Sequence, residues 1–181
     1  MRCARMSSFI VTLAISYSTL AQTTEAPNPH LRDALGGTWI HAGGEADRKS
    51  LDAALDLSVE GYFFMARGAA RQQIAARNQI RRSITVSLDG ERVAVEFADS
   101  PRVEAALDGS STPAMVNGEA MRVVHVLQGD TLVQRFEAAE GRRRNEFVAS
   151  PDGQTLLLRV TVESPRLTHP LRYQLHYRRA G

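Results

Sequence analysis

The stretch "SITVSLDGERVAVEF", residues 83–97, decides how the rest of this chain is read. Ile84, Val86 and Leu88 alternate with polar neighbours, Asp89-Gly90 interrupts, and Val93, Val95 and Phe97 resume the alternation. A period of two places every second side chain on one face of a strand, and an Asp-Gly pair suits the backbone of a tight hairpin turn. The stretch predicts two antiparallel strands with one apolar face.

The same period continues to the C-terminus. A weaker strand is expected near Arg102 to Leu107, and an Asn117-Gly118 turn leads into a strand ending at Leu127. Three more follow at Thr131 to Ala138, Arg142 to Ala149 and Gln154 to Glu163, with turns at Gly129-Asp130, Glu140-Gly141 and the four residues 150–153. After the proline-broken segment 164–170, "LRYQLHYRR" (171–179) closes the chain. Eight or nine strands joined by short turns form an antiparallel up-and-down meander, so the fold class is mainly β. Such a sheet must bury one face and protect two edges, and closure into a barrel does both. An open sheet packed on helices is the competing architecture.

Upstream of residue 83 the period is helical. Leu51, Leu55, Val59, Tyr62, Phe63 and Ala66 fall on one stripe, with Asp47 or Ser50 as N-cap and Gly61 and Gly68 as candidate breaks. Residues 50–82 are expected to form a helical pair or one bent helix. Asp52, Asp56 and Glu60 line one part, and Arg67, Arg71, Arg77 and Arg81 the other, so an antiparallel pair sets the rows face to face. Alternatively the arginine row binds an acidic partner or an anionic membrane.

The N-terminus reads as an export signal. Arg2 and Arg5 precede an apolar run from Phe9 to Leu20, too short to span a bilayer, and Thr19 and Ala21 are small residues placed for cleavage after Ala21. The expected organisation is a signal peptide at 1–21, a flexible leader at 22–30 and a single domain at 31–181, in the periplasm or secreted, with no membrane span after cleavage. The one cysteine, Cys3, is removed with the signal. Removing Arg2 and Arg5 from 22 basic residues leaves 20 against 20 acidic ones. A balanced chain gives no warrant for a nucleic-acid partner.

Taking the turns at face value pairs Val86 with Val93, Leu127 with Leu132, His125 with Gln134, Phe136 with Asn145, Gln134 with Phe147, Phe147 with Leu156 and Asn145 with Leu158. Apolar residues then share one face, completed by Leu171, Tyr173, Leu175 and Tyr177. Three polar residues intrude on it: His125, Gln134 and Asn145. With the Tyr173 and Tyr177 hydroxyls they are the candidate ligand-binding residues for the polar end of a hydrophobic molecule. The alternative is a filled core in which they satisfy one another. Arg135, Arg144, Arg159, Arg172 and His176 are expected on the opposite, solvated face.

Gly37-Thr38-Trp39 on the first strand, the consecutive hairpins and the terminal Arg178-Arg179 together resemble the calycin group, the lipocalin-like and fatty-acid-binding-like barrels, and in particular small exported bacterial proteins of that shape. The resemblance runs from about Leu31 to the end, and the helices of 50–82 look like the helical lid of the fatty-acid-binding branch. It implies that first and last strands lie side by side, so that Trp39 plugs one end of the barrel under Arg178 or Arg179, a structural role. It also implies a small hydrophobic ligand. Arg172 and Tyr173 are adjacent and face opposite ways, a departure from the Arg-x-Tyr carboxylate clamp of intracellular fatty-acid carriers.

Catalytic signatures are absent: the chain has no H-E-x-x-H, no G-x-S-x-G and no phosphate-binding glycine loop. His30, His41, His125, His169 and His176 show no metal-ligand spacing, so the reading requires no cofactor, metal or covalent chemistry. Three functions remain: carriage of a hydrophobic ligand in the barrel, a scaffold that docks a protein partner through the helical hairpin, or an enzyme using His125 as a general base in the barrel mouth.

Overall fold

The computed structural model describes residues 29–116 and 118–181; the expected signal peptide, the leader up to residue 28 and Asn117 lie outside the described residues. The strands are β1 (Gly37–His41), β2 (Ser83–Asp89), β3 (Arg92–Phe97), β4 (Val103–Ala106), β5 (Thr112–Val116), β6 (Glu119–Gln128), β7 (Thr131–Ala138), β8 (Gly141–Ala149), β9 (Thr155–Glu163) and β10 (Leu171–Arg179). Among the described residues three helices accompany them: α1 (Pro29–Leu35), α2 (Gly44–Ser58) and α3 (Phe64–Arg77). Helix α1 takes in the last two residues of the expected leader.

All ten strands belong to one antiparallel sheet, ordered β4-β3-β2-β1-β10-β9-β8-β7-β6-β5. First and last strands pair directly, Trp39 opposite Arg179. The two ends of the sheet do not hydrogen-bond as strands, but Asp108 just after β4 bridges Val126 of β6, and the Gly109 amide donates to the His125 carbonyl at 3.2 Å. The result is a nearly closed barrel with a helical pair between β1 and β2. The additional strand is β5, which carries Pro113. Proline is tolerated there because β5 ends the ladder order, where a missing N–H breaks no inner ladder.

Faces are as the alternation predicts, whereas register differs at three turns. Val86 pairs with Val95 and Asp89 with Arg92, so the first turn lies on Gly90-Glu91, with Gly90 at φ 54°. Ala138 pairs with Gly141, which sets Gln134 directly opposite Asn145 and Phe136 opposite Arg143. Ala149 pairs with Leu156, so Phe147 faces Leu158 and Asn145 faces Val160. Each departure moves the pairing by two residues and leaves every side chain on its own face. Leu127 opposite Leu132 and His125 opposite Gln134 stand as read from the sequence.

The helical segment is a pair broken at 59–63, around Gly61, while Gly68 lies inside α3 without a break. Helix α2 packs on the barrel through Leu51, Ala54 and Leu55; α3 has no buried residue. Arg71 joins the two, with Nε 2.6 Å from Asp56 Oδ1 and Nη2 2.8 Å from Asp52 Oδ1. Neither Asp47 nor Ser50 caps α2, whose N-cap is Gly43. Asp47 is instead 1% exposed and accepts from the His176 amide (2.6 Å), His176 Nδ1 (2.7 Å) and His41 Nε2 (2.9 Å). Burial alone raises this carboxyl, but the bonds from His176 and His41 outweigh it and hold the carboxyl below its usual range. The first turn of α2 is thereby fastened to β1 and β10.

One end of the barrel is filled. Trp39 is fully buried, and its Nε1 donates to the Leu35 carbonyl at 3.0 Å. Arg179 lies over the indole, its Cζ 4.4 Å from the ring centroid, while Arg178 points outward and is exposed. The Arg179 guanidinium also donates to the carbonyls of Gly36 (2.6 Å), Ala34 (2.7 Å) and Gly153, tying α1 and the β8–β9 loop to the plug. Gly37, at φ 122°, is needed beside it, because a Cβ there would sit 2.6 Å from Arg179 Nη1. Arg159 and Arg172 stand on the solvated face, but Arg135 and Arg144 are half-buried, and Arg144 pairs with Glu146 at 2.7 Å.

Candidate functional site

The other half of the barrel holds a cavity of about 310 Å³. Its apolar wall comes from Val95, Phe97, Met121, Phe136, Leu158, Val162 and Leu175; its polar lining includes Asn78, Gln134, Arg143, Asn145, Tyr173 and Tyr177, and charged side chains of both signs, Glu119, Glu140 and Glu163 with Arg77, Arg81, Arg142 and Arg166, line it as well. The end of α3 at Arg77, the β3–β4 turn at Ser100-Pro101 and the β7–β8 turn at Glu140 also border it. Phe97, Met121 and Phe136 are half-buried rather than fully buried because they border this space.

Of the five residues singled out for binding, Gln134, Asn145, Tyr173 and Tyr177 line the cavity. His125 does not; it is fully buried one strand further round, where β6 meets β3. Its Nδ1 lies 3.1 Å from the Val93 carbonyl, and its Nε2 lies 3.0 Å from the Gln134 amide nitrogen. Asn145 Nδ2 donates to Gln134 Oε1 at 2.9 Å. Burial pushes the His125 imidazole toward its neutral form, against a smaller opposing effect of the Val93 and Ala105 backbone. The Tyr177 hydroxyl donates to the Arg81 carbonyl at 3.1 Å, and burial raises its pKa.

Two residues that sequence reasoning missed complete the site. Arg143 on β8 donates from Nε to Asn145 Oδ1 (2.9 Å), from Nη1 to Asn78 Oδ1 (3.0 Å) and from Nη2 to the Tyr173 hydroxyl (3.3 Å). Asn78, the C-cap of α3, is buried and donates to the Ile74 carbonyl at 2.9 Å. Arg143 has the same parity as Asn145 and Phe147, so alternation alone places it inward; the arginine-rich run 142–144 obscured that signal. Asn78 reaches β8 only through the fold, across 65 residues.

The electrostatics of this group are one-sided. All three hydrogen-bond partners of Arg143 are neutral, and among the described residues no carboxylate pairs with it. By contrast, Arg142 at the rim pairs with Glu163, and Arg166 with Glu140 at 2.6 Å. Moving a charge from water into a half-buried site is costly unless a counter-charge or several hydrogen bonds accompany it. Arg143 has the hydrogen bonds and lacks the counter-charge. No group of His, Cys, Asp and Glu among the described residues is arranged to hold a metal ion, and no described helix is long and apolar enough to cross a membrane.

No family model matches the sequence, and no curated protein matches it either. Solved structures do match. The chain is similar to a secretory abundant heat soluble protein from Ramazzottius varieornatus (TM-score 0.55, 12% identity, 81% of this chain and 96% of that one). It is likewise similar to the Schistosoma mansoni fatty acid binding protein, solved in complex with arachidonic acid (TM-score 0.50, 15% identity, 83% and 98%). Human cRBP IV aligns with TM-score 0.50 and 14% identity over 81% and 98%. At these identities the likeness concerns architecture: ten antiparallel strands, nearly closed, with a helical pair after the first. The chain has the fold of the lipocalin-like and fatty-acid-binding-like calycin barrels.

Proposed function

We propose that this protein binds and carries a small hydrophobic molecule with an acidic end, exported by residues 1–21 to the periplasm or the medium, and that it does no covalent chemistry. The observation that carries this reading is Arg143, a cation facing a cavity with an apolar wall and hydrogen-bonded to neutral partners only. An anionic group entering beside it supplies the missing counter-charge, while the chain of the ligand lies along Phe97, Met121 and Phe136. Asn78 and Tyr173 hold the guanidinium from α3 and β10, so the acid end sits beneath the helical lid. The similar Schistosoma mansoni fatty acid binding protein, solved with arachidonic acid, supports the same reading.

The test is native mass spectrometry of residues 22–181 recovered from the exported fraction, followed by denaturing extraction. An adduct carrying a carboxylate, sulfate or phosphate, lost from the Arg143→Gln variant, is expected. An uncharged adduct retained by that variant overturns the acidic-end assignment.

A second reading, docking of a protein partner through the helical hairpin, draws on Phe63, Phe64 and Met65. These are 68%, 73% and 74% exposed at the turn into a helix with no fully buried residue. A stoichiometric partner released on reversing the charge of Arg67, Arg71 and Arg77 is the result this reading requires.

A further inference from the structure

We propose that His125, although outside the cavity, is the positioning residue of the anion site: as the neutral tautomer protonated on Nδ1, it fixes through Gln134 and Asn145 the direction in which Arg143 is held. The inference rests on the proposed function of Arg143 and deepens it.

The two ends of the relay are chemically unambiguous. The Val93 carbonyl accepts and cannot donate; the Arg143 guanidinium donates and cannot accept. At the first end, therefore, Nδ1 of His125 carries the proton that meets Val93 O at 3.1 Å. At the other, Asn145 must turn its oxygen toward Arg143 Nε, 2.9 Å away. Its amide nitrogen then faces Gln134 Oε1 at 2.9 Å, and the Gln134 nitrogen faces His125 Nε2 at 3.0 Å. That last contact needs a lone pair on Nε2, which is the neutral ring already required by Val93. Reading from either end yields the same orientation at every link.

Reversing one amide sets donor against donor on one side and acceptor against acceptor on the other. His125, Gln134 and Asn145 are all 0% exposed, so water has no access to repair a reversed link. The relay crosses from β3 through β6 and β7 to β8, and it begins where the sheet has no ladder between β4 and β5. Of the five N–H donors of Arg143, three go to Asn145, Asn78 and Tyr173 among the described residues, leaving two for a ligand. Their aim depends on the Nε anchor, hence on His125 two strands away.

Two measurements test this. In the wild-type protein at neutral pH, long-range 1H–15N NMR is expected to show His125 protonated on Nδ1 and bare on Nε2; the opposite tautomer or a doubly protonated ring overturns the proposal whatever any variant does. The second measurement compares binding of 1-anilinonaphthalene-8-sulfonate and the uncharged N-phenyl-1-naphthylamine to wild type, His125→Met and Arg143→Gln. His125 does not line the cavity, so His125→Met leaves the cavity wall in place; it is expected to weaken the anionic probe about tenfold, the equivalent of one charge-assisted hydrogen bond, and to leave the uncharged probe within about twofold. The Arg143 Nε–H resonance should exchange faster with water in the same variant. If Arg143→Gln keeps full preference for the anionic probe, the proposed function fails; if it loses that preference while His125→Met keeps it, the relay fails alone.

Discussion

Replacing Asp47 by alanine should loosen α2 from the barrel, and the structure sets the size of the effect. Asp47 is 1% exposed and accepts three hydrogen bonds, from the His176 amide, His176 Nδ1 and His41 Nε2. Removing one partner of a buried charged network costs about 3 to 5 kcal/mol. His176 is half exposed and His41 is 17% exposed, so water reaches part of the orphaned set. About 3 kcal/mol is the appropriate figure, or roughly 6 to 12 °C in Tm for a domain of this size. Because the folded carboxyl titrates below its unfolded value, its contribution is complete above the ordinary Asp range of about 4 and fades as pH falls through the lower folded value. Thermal melts followed by near-UV circular dichroism at pH 7 and in steps down to pH 2 measure both quantities. A variant melting within about 2 °C of wild type at pH 7, or a gap that stays constant down to pH 2, refutes the reasoning.

Gly43→Ala should reproduce the Asp47→Ala defect, since a Cβ there would lie 1.9 Å from Asp47 Oδ2 and expel the carboxylate from its seat. In urea unfolding the double variant is expected to cost no more than either single one, because both break the same network. Arg179→Met should lower stability by about 2 to 4 kcal/mol through loss of the cation–π contact and the carbonyl bonds of the plug. Trp39 fluorescence should shift to longer wavelength in that variant as water reaches the indole. Phe64→Ser should leave the unfolding free energy from urea melts unchanged to within about 0.5 kcal/mol, because the ring is 73% exposed and the α3 side chains that pack on the core are Ile74 and Ala75, at the far end of the helix. A larger loss would mean that the Phe63–Phe64 pair, 4.8 Å between ring centroids, holds the helical turn together.

Alternation and turn chemistry are local properties, and the sequence alone determined what depends on them: a mainly β meander, the inward face, and the placement of His125, Gln134 and Asn145 on it. Parity survived every misplaced turn, because each register error was an even number of residues. Register itself belonged to the tertiary structure. Whether Asp89-Gly90 or Gly90-Glu91 makes the turn depends on which ladder the neighbouring strands complete, and the same holds for Glu140-Gly141. Asp47 has the composition of a helix cap, but packing α2 against β1 and β10 offered it two imidazoles and an amide, which a solvated cap position cannot match. The anion site was half legible. Arg143 follows from the parity of Asn145, whereas Asn78 comes from the end of a helix 65 residues away, and no local pattern records that meeting. Long-range pairs are decided by how the chain closes on itself, and closure is a property of all ten strands together.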